Sequence, residues 1–167
     1  VAAVTFKKKE REMTESSGGL YSSQDADSEG VEGKYYVWTR AELDEVLGPR
    51  SSLAAATYWD VSEDGNWEEM PGRSILHRPR SLDEAAEELE LIPSQLAETL
   101  EGARGELLKR RQERVPPATD TKVLTAWNGL MIRALARGGE ALDEPRFLEL
   151  ARAAARFCLD TMQGPQG

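Results

Sequence analysis

The sequence predicts a mainly α-helical fold with one inserted β-hairpin. Apolar residues recur at spacings of three and four over most of the 167 residues, which is the periodicity of amphipathic helices. Two capping boxes mark helix starts, one at Thr39 and one at Ser81. Strand-favouring aromatic residues are concentrated in the run YYVW, residues 35–38. A chain of this length has room for one domain with a buried core.

The first element is predicted to be a helix over residues 2 to about 14. Gly18 and Gly19 are expected to end it, because glycine tolerates the left-handed conformation that closes helices. A β-hairpin follows over about residues 20–39, since two strand-like segments flank a polar, glycine-containing stretch. Its first strand is predicted over residues 20–23, and its second strand over residues 34–39. The loop between them covers residues 25–33.

Three helices are predicted in the middle of the chain. The first covers residues 40–47 and is closed by Gly48, and the second covers residues 81–89. The third begins at Pro93, a residue favoured in the first helical turn. It carries one buried stripe at spacings near four and three: Leu96, Leu100, Ala103, Leu107 and Leu108.

Two further helices are predicted after these. The first covers residues 121–138 and has a wide apolar face, with Asp120 or Thr121 expected as its cap. Asp143 is expected to cap the last helix, whose broad face is rich in alanine. Wide apolar faces predict contact with neighbouring helices on more than one side.

Composition and charge narrow the range of partners. A formal net charge of -9 argues against a nucleic acid, and the basic run at residues 7–11 is interpreted as a solvated helix face. The chain has one cysteine, Cys158, and one histidine, His77. A single cysteine excludes an internal disulfide, and the two residues together are too few for a Cys/His zinc site. No apolar stretch approaches the roughly 20 residues that span a bilayer, and no signal peptide is recognised. We expect a cytoplasmic protein with no cofactor and no membrane partner.

Three segments carry a resemblance to a known family. They are GGLYSSQDADSEGVEGKYYVW, ILHRP and DTKVLTAWNGLMI, at residues 18–38, 75–79 and 120–132. In this order they resemble a family of cytoplasmic or organellar proteins, including a mammalian spermatogenesis-associated protein. In that family a thioredoxin-like domain is followed by an α/α toroid of the six-hairpin glycosidase type. The resemblance spans most of residues 13–162 and covers the middle part of the toroid.

The resemblance implies that residues 1–167 are one fragment of the toroid domain. A complete toroid has roughly twelve helices, whereas about six or seven are predicted here. The sequence has no C-x-x-C, so the thioredoxin-like domain is expected to be absent and its redox activity is not carried over. An incomplete toroid would expose helix faces, which predicts self-association or a companion chain.

The acidic stretch that begins at Asp25 partly matches a calcium-binding loop. Its residues at positions 1, 3, 5 and 6 of an EF-hand pattern are Asp25, Asp27, Glu29 and Gly30. Position 12, which needs a bidentate glutamate, is Tyr36, and a strand is predicted where a helix should follow. The sequence therefore predicts no metal site.

Asp25 and Asp27 are candidate catalytic acids for work on a sugar. In an extended segment their side chains would project to one face roughly 7 Å apart, within the range of about 6.5 to 9.5 Å for inverting glycosidases. Tyr21 and Trp38 are candidate substrate-binding residues, because aromatic rings stack on sugars. The alternative is that these acids only shape a solvated turn.

The segment after Asp120 supplies the remaining candidates. Asp120 is a third candidate catalytic acid, and Lys122 is a candidate substrate-binding residue whose side chain could reach a carboxylate in the cleft. Trp127 and Asn128 are candidate substrate-binding residues, since asparagine is a poor helix former unless its amide is used. The structural alternatives are a capping role for Asp120 and core packing for Trp127.

Two functions therefore remain open. One is a toroid domain that binds or processes a carbohydrate ligand through a polar cleft. The other is a non-catalytic scaffold or protein-interaction domain that accompanies a thioredoxin-like domain. Acids at two well-separated places, near residues 27 and 120, favour the polar cleft.

Overall fold

The computed structural model describes residues 2–164, whose regular structure is mostly helical. The mainly α-helical prediction is confirmed. The helices in this range are α1 (Ala2–Glu12), α2 (Arg40–Trp59), α3 (Leu82–Glu88), α4 (Pro93–Gln112), α5 (Thr125–Ala141) and α6 (Pro145–Thr161). The strands are β1 (Ser23–Gln24), β2 (Asp27–Ser28), β3 (Val31–Glu32) and β4 (Thr119–Asp120). Among these residues, none of the helices combines the length and the apolar character needed to cross a membrane.

The described residues divide into two compact units. Unit 1 contains residues 2–25 and 118–164, and unit 2 contains residues 26–117. Each unit has an apolar core of its own.

Unit 1 has its core between α5 and α6. Leu135 of α5 is fully buried, as are Phe147 and Ala154 of α6. Phe6 of α1 covers this core, with its ring edge-on to Phe147 at a centroid distance of 5.0 Å. Edge-on aromatic pairs at this distance are favourable, so α1 is held against α6 by specific ring packing.

Gly18 and Gly19 allow the segment after α1 to lie directly on α6. Gly18 has a φ of 107°, and a Cβ there would lie 2.9 Å from the backbone of Ala153. A Cβ at Gly19 would lie 2.8 Å from the ring of Phe157. Because α1 already ends at Glu12, the two glycines do not close that helix as predicted. They permit a close approach that any side chain would block.

Unit 2 is built from α2, α3 and α4. The predicted stripe of α4 is confirmed, since four of its members are buried and Leu108 is half-buried. It packs into one cluster with Leu43 and Trp59 of α2 and with Ala85 of α3. The core of unit 2 is therefore formed by the helix faces that the spacing of apolar residues marks.

Both predicted capping boxes form. The Thr39 hydroxyl accepts a hydrogen bond from the Glu42 N–H, and the Glu42 carboxylate accepts one from the Thr39 N–H. Ser81 and Glu84 make the same reciprocal pair at the start of α3. Each box satisfies two backbone groups that a helix start leaves without intrahelical partners.

A break inside α2 falls where its predicted end lies. Gly48 has φ 71° and ψ 167°, which is not helical, and Pro49 follows it. A second helical segment, which was not predicted, then continues to Trp59. Proline at the first position of a helix is well tolerated, so Gly48 and Pro49 together end one segment and begin the next.

The strand pairing differs from the predicted hairpin over residues 20–39. β1 pairs antiparallel with β4, not with residues 34–39. Trp38, expected in the second strand, instead forms an isolated bridge with Ser74. The prediction assumed pairing between neighbours in sequence, whereas β1 and β4 are far apart along the chain.

A shorter hairpin lies inside the predicted loop. β2 and β3 pair antiparallel, with Asp27 opposite Glu32. Glu29 and Gly30 connect them, with φ values of 54° and 75°. Positive φ at both positions is the requirement of a type I′ turn, which joins two strands with the correct twist.

The starts of the last two helices also differ from the prediction. α5 begins at Thr125, and neither Asp120 nor Thr121 caps it, because residue 120 already belongs to β4. α6 begins at Pro145 and has no side-chain cap. Asp143, the expected cap, has a φ of 52° and lies in the connection before it.

Candidate functional site

A small pocket in unit 1 brings together three of the predicted site residues. Tyr21, Trp127 and Asn128 line a cavity of about 110 Å³. Lys9, Met13, Leu20, Ser22 and Met131 complete the lining. The end of α1, the segment after it and the first turns of α5 therefore all contribute to one pocket.

Asn128 joins the two main walls of this pocket. This residue is 1% exposed. Its Oδ1 accepts a hydrogen bond from the Leu20 N–H at 2.9 Å, and its Nδ2 donates one to the Leu20 carbonyl at 3.0 Å. The same Nδ2 donates to the Leu124 carbonyl at 3.1 Å. Asn128 was predicted as a substrate-binding residue, but its side-chain amide is engaged by backbone groups of Leu20 and Leu124.

The residues after Leu20 are held by further backbone contacts. The Tyr21 N–H donates to the Met13 carbonyl, and the Ser22 N–H donates to the Lys122 carbonyl, both at 2.9 Å. The Ser22 hydroxyl donates to the Asp120 carbonyl at 3.2 Å. These bonds fix the backbone from which the Tyr21 ring and the Ser22 side chain reach the pocket.

Trp127 is the exposed aromatic residue of this pocket. It lies in the first turn of α5 and is 54% exposed. The alternative interpretation of Trp127 as a core residue is therefore wrong. The exposed part of this ring is available to contact a ligand in the cavity.

Asp120 pairs with its neighbour in sequence. Its Oδ2 lies 3.0 Å from the Lys122 Nζ, and its Oδ1 accepts from the Lys122 backbone N–H at 3.1 Å. The hydrogen bond from the Lys122 side chain, followed by the bond from its backbone N–H, lowers the pKa of Asp120 below its ordinary value of 3.8. The carboxylate is thereby held in its ionised form.

Five lining residues were missed by sequence reasoning, namely Lys9, Met13, Leu20, Ser22 and Met131. Lys9 was interpreted as part of a solvated face, yet it is half-buried with its Nζ 2.7 Å from the Met13 sulfur. Lys9 and Met13 are four residues apart, the spacing that places side chains on one helix face. That spacing was the available signal. Leu20, Ser22 and Met131 gave no such signal in the sequence, because only the fold brings them to the cavity.

Asp25 and Asp27 are both exposed and fall in different units. The Asp25 N–H donates to the Ala118 carbonyl at 2.7 Å in unit 1, whereas Asp27 begins the β2–β3 hairpin of unit 2. Within residues 2–164, no group of three or more His, Cys, Asp or Glu side chains is placed to hold a metal ion. The acidic stretch forms a tight turn and a strand pair.

Trp38 is buried in unit 2, at 2% exposure. The Arg114 guanidinium lies 4.0 Å from the centre of its ring and donates to the carbonyls of Tyr35 and Val37. Arg114 also pairs with Glu42 at 3.1 Å. The predicted stacking role of Trp38 does not fit this placement, because its ring already packs against a cation and the core.

A larger groove of about 480 Å³ lies between α2 and α4 in unit 2. Val46 and Leu47 provide apolar lining, and Arg50, Glu98 and Glu106 provide charge. None of its lining residues is aromatic, and none was predicted as a site residue. The smaller pocket of unit 1 is the better candidate, since it combines aromatic rings with a few fixed polar groups.

The chain is similar to longer proteins of animals. It is 31% identical over 169 residues to spermatogenesis-associated protein 20 of Homo sapiens, and the match covers 88% of this chain and 22% of that protein. The protein of that name in Mus musculus is also 31% identical, with 88% and 21% covered. An uncharacterised protein of Caenorhabditis elegans is 28% identical over 167 residues, with 88% and 23% covered. No protein-family model matches the chain. The chain thus spans about a fifth of the length of these relatives.

Proposed function

We propose that unit 1 binds a carbohydrate in the pocket lined by Tyr21, Ser22 and Trp127. The observation that carries the proposal is the exposed Trp127 ring beside a cavity that also has hydroxyl groups. A sugar ring offers an apolar face for stacking and hydroxyls for hydrogen bonds, which is the chemistry such a pocket complements. Asn128 supports binding indirectly by fixing the backbone that carries Tyr21.

The proposal is for binding without hydrolysis in this unit. Glycoside hydrolysis needs one carboxylic acid that stays protonated, and this requires a raised pKa. Asp120, the predicted acid of this region, has a lowered pKa because Lys122 donates to it. An ionised, paired carboxylate is suited to hold a hydroxyl or a cation and is unsuited to donate a proton.

Titration calorimetry of the 167-residue chain with a panel of neutral and acidic monosaccharides would test this. We expect at least one sugar to bind, and Trp127→Ala to weaken it about tenfold, which is roughly 1.4 kcal/mol of stacking and burial. Leu130→Ala is the matched control, since Leu130 is an exposed residue of α5 outside the pocket. Absence of binding across the panel, or equal affinity in the Trp127 variant, would contradict the proposal.

The architecture of the whole protein is part of the same proposal. The helices of the two units would be hairpins of an incomplete α/α toroid, and the longer protein would carry a thioredoxin-like domain and reside in the cytoplasm. The ordered segments at residues 18–38, 75–79 and 120–132 support this. An experimental structure of a full-length relative with another arrangement of these helices would contradict it.

A second candidate function is protein interaction without catalysis. Leu124 and Leu130 of the α5 region are 39% and 69% exposed, and Trp127 lies between them in sequence. Apolar side chains exposed on successive turns of one helix are typical of surfaces that associate. Leu130→Glu distinguishes the two candidate functions. The substitution should weaken association with a protein partner and leave sugar binding in the pocket unchanged.

A further inference from the structure

Lys9 is an unpaired cation in the wall of the sugar pocket. It is half-buried, and its ammonium donates to the Met13 sulfur at 2.7 Å. A thioether is a weak acceptor and carries no charge, so it leaves the positive charge uncompensated. Among residues 2–164, no ion pair joins Lys9 to a carboxylate.

The acidic residues of the same helix have other partners. Glu10 pairs with Arg146 at 2.8 Å, and Glu12 pairs with Lys8 at 3.6 Å and also with Arg11. The chain has 30 acidic and 21 basic residues, so acidic side chains are plentiful. Within the described part of the chain, Lys9 lacks a carboxylate partner because of where the fold places it. The fold places Lys9 beside Leu20, Tyr21, Trp127 and Met131, where apolar and aromatic side chains predominate.

We propose that the ligand of this pocket is an acidic sugar, with its ring on Trp127 and its anionic group on the Lys9 ammonium. This inference rests on the proposed sugar-binding function. A cation among apolar groups is poorly solvated, so pairing with an anion there is worth more than on an open surface. Lys9 and Trp127 both line the cavity of about 110 Å³, so a ligand bound there lies next to both residues.

The anionic group is a carboxylate, as in a uronate, or a phosphate ester, since an ammonium acts as a point charge toward either. The net charge of -9 repels anions in general. Selection of an acidic sugar must therefore come from the local cation, and it should weaken as salt screens that contact.

Calorimetric titration of the 167-residue chain with glucose, glucuronate and glucose 6-phosphate tests the inference. We expect at least one acidic sugar to bind about tenfold more tightly than glucose, the gain of one charge-assisted hydrogen bond. Lys9→Met should abolish this preference, because methionine preserves the apolar stem and removes the charge. Lys7→Met, at an exposed position of the same helix, should preserve it. Thermal melting of each variant checks that unit 1 is folded.

The outcomes separate the two proposals. If glucose and both acidic sugars bind equally well, the acidic-sugar inference is overturned while the sugar-binding function stands. Retention of the preference in Lys9→Met would also overturn the inference. If no sugar binds, both proposals are overturned. The tighter of the two acidic sugars identifies the anionic group.

Discussion

Two asparagines of this chain perform the same task in different surroundings. Asn128 binds both backbone groups of Leu20, and Asn66 binds both backbone groups of Ile75, at 2.8 and 3.1 Å. Each amide therefore takes the place of a missing strand partner. The difference lies in burial, since Asn128 is 1% exposed whereas Asn66 is exposed.

Replacing Asn128 by alanine should destabilise unit 1 strongly. The substitution leaves a buried N–H and a buried carbonyl of Leu20 without partners, and each such group costs about 1 to 3 kcal/mol. We expect a loss of about 3 kcal/mol in the free energy of unfolding, measured by urea denaturation. Asn66→Ala is the control, because water can replace its bonds and the loss should stay below about 1 kcal/mol. Equal losses for the two variants would contradict the assigned role of burial.

The Asp120–Lys122 pair predicts a pH dependence. A carboxyl whose pKa is lower in the folded than in the unfolded state contributes stability above its ordinary value, here 3.8, and this contribution is lost as the pH falls below that value. Asp120→Asn should therefore reduce the difference in unfolding free energy between neutral pH and a pH below 3.8. Lys122→Met should reduce this difference as well, and the reduction in the double variant should be smaller than the sum of the two single reductions. An acid dependence unchanged by either substitution would refute the pairing.

At the scale of elements, local signals decide where helices begin and end. Both capping boxes form, and the apolar stripe of α4 is buried. Gly48 has φ 71° and ψ 167°, a region that residues with a Cβ rarely adopt. The break in α2 thus depends on one residue type at one position.

Gly48→Ala should therefore destabilise unit 2 through its backbone alone. A Cβ at Gly48 would meet nothing within 4 Å, so packing does not contribute to the cost. We expect a loss of about 2 kcal/mol in the free energy of unfolding, measured by thermal or urea denaturation. Gly102→Ala in α4 is the matched control, because its Cβ also meets nothing within 4 Å and its φ is not positive. That variant should gain about 0.5 to 1 kcal/mol from helix propensity, and a loss there would contradict the argument.

At the scale of the whole molecule, apolar side chains remain exposed in both units. Leu130 is 69% exposed in unit 1, and Leu53 is 51% exposed in unit 2. The relatives are about five times longer than this chain. We propose that some of these side chains are covered in the longer protein.

The isolated chain should then associate in solution. Light scattering is expected to give a mass above the 18.5 kDa of one copy, because exposed apolar side chains of α5 favour contact between molecules. Leu130→Glu should shift the distribution toward the single-copy mass, whereas Leu53→Glu should shift it less, since Leu53 belongs to α2 and is not part of the exposed apolar residues of the α5 region. A clean 18.5 kDa species in the unsubstituted chain would contradict this expectation.

The sequence by itself determined the helical class, the two capping boxes and the buried stripe of α4. These features follow from residues three or four positions apart, and such short-range interactions are encoded in the spacing of residue types.

Only the tertiary structure decided the strand partners and the composition of the pocket. Ser23 pairs with Asp120, and Asn128 binds Leu20, across separations of about a hundred residues that no local pattern reports. The same long-range contacts leave Trp127 exposed and bring Lys9 beside it. Which face of a helix meets a neighbour depends on the packing of every element around it, and the candidate site is formed by that packing.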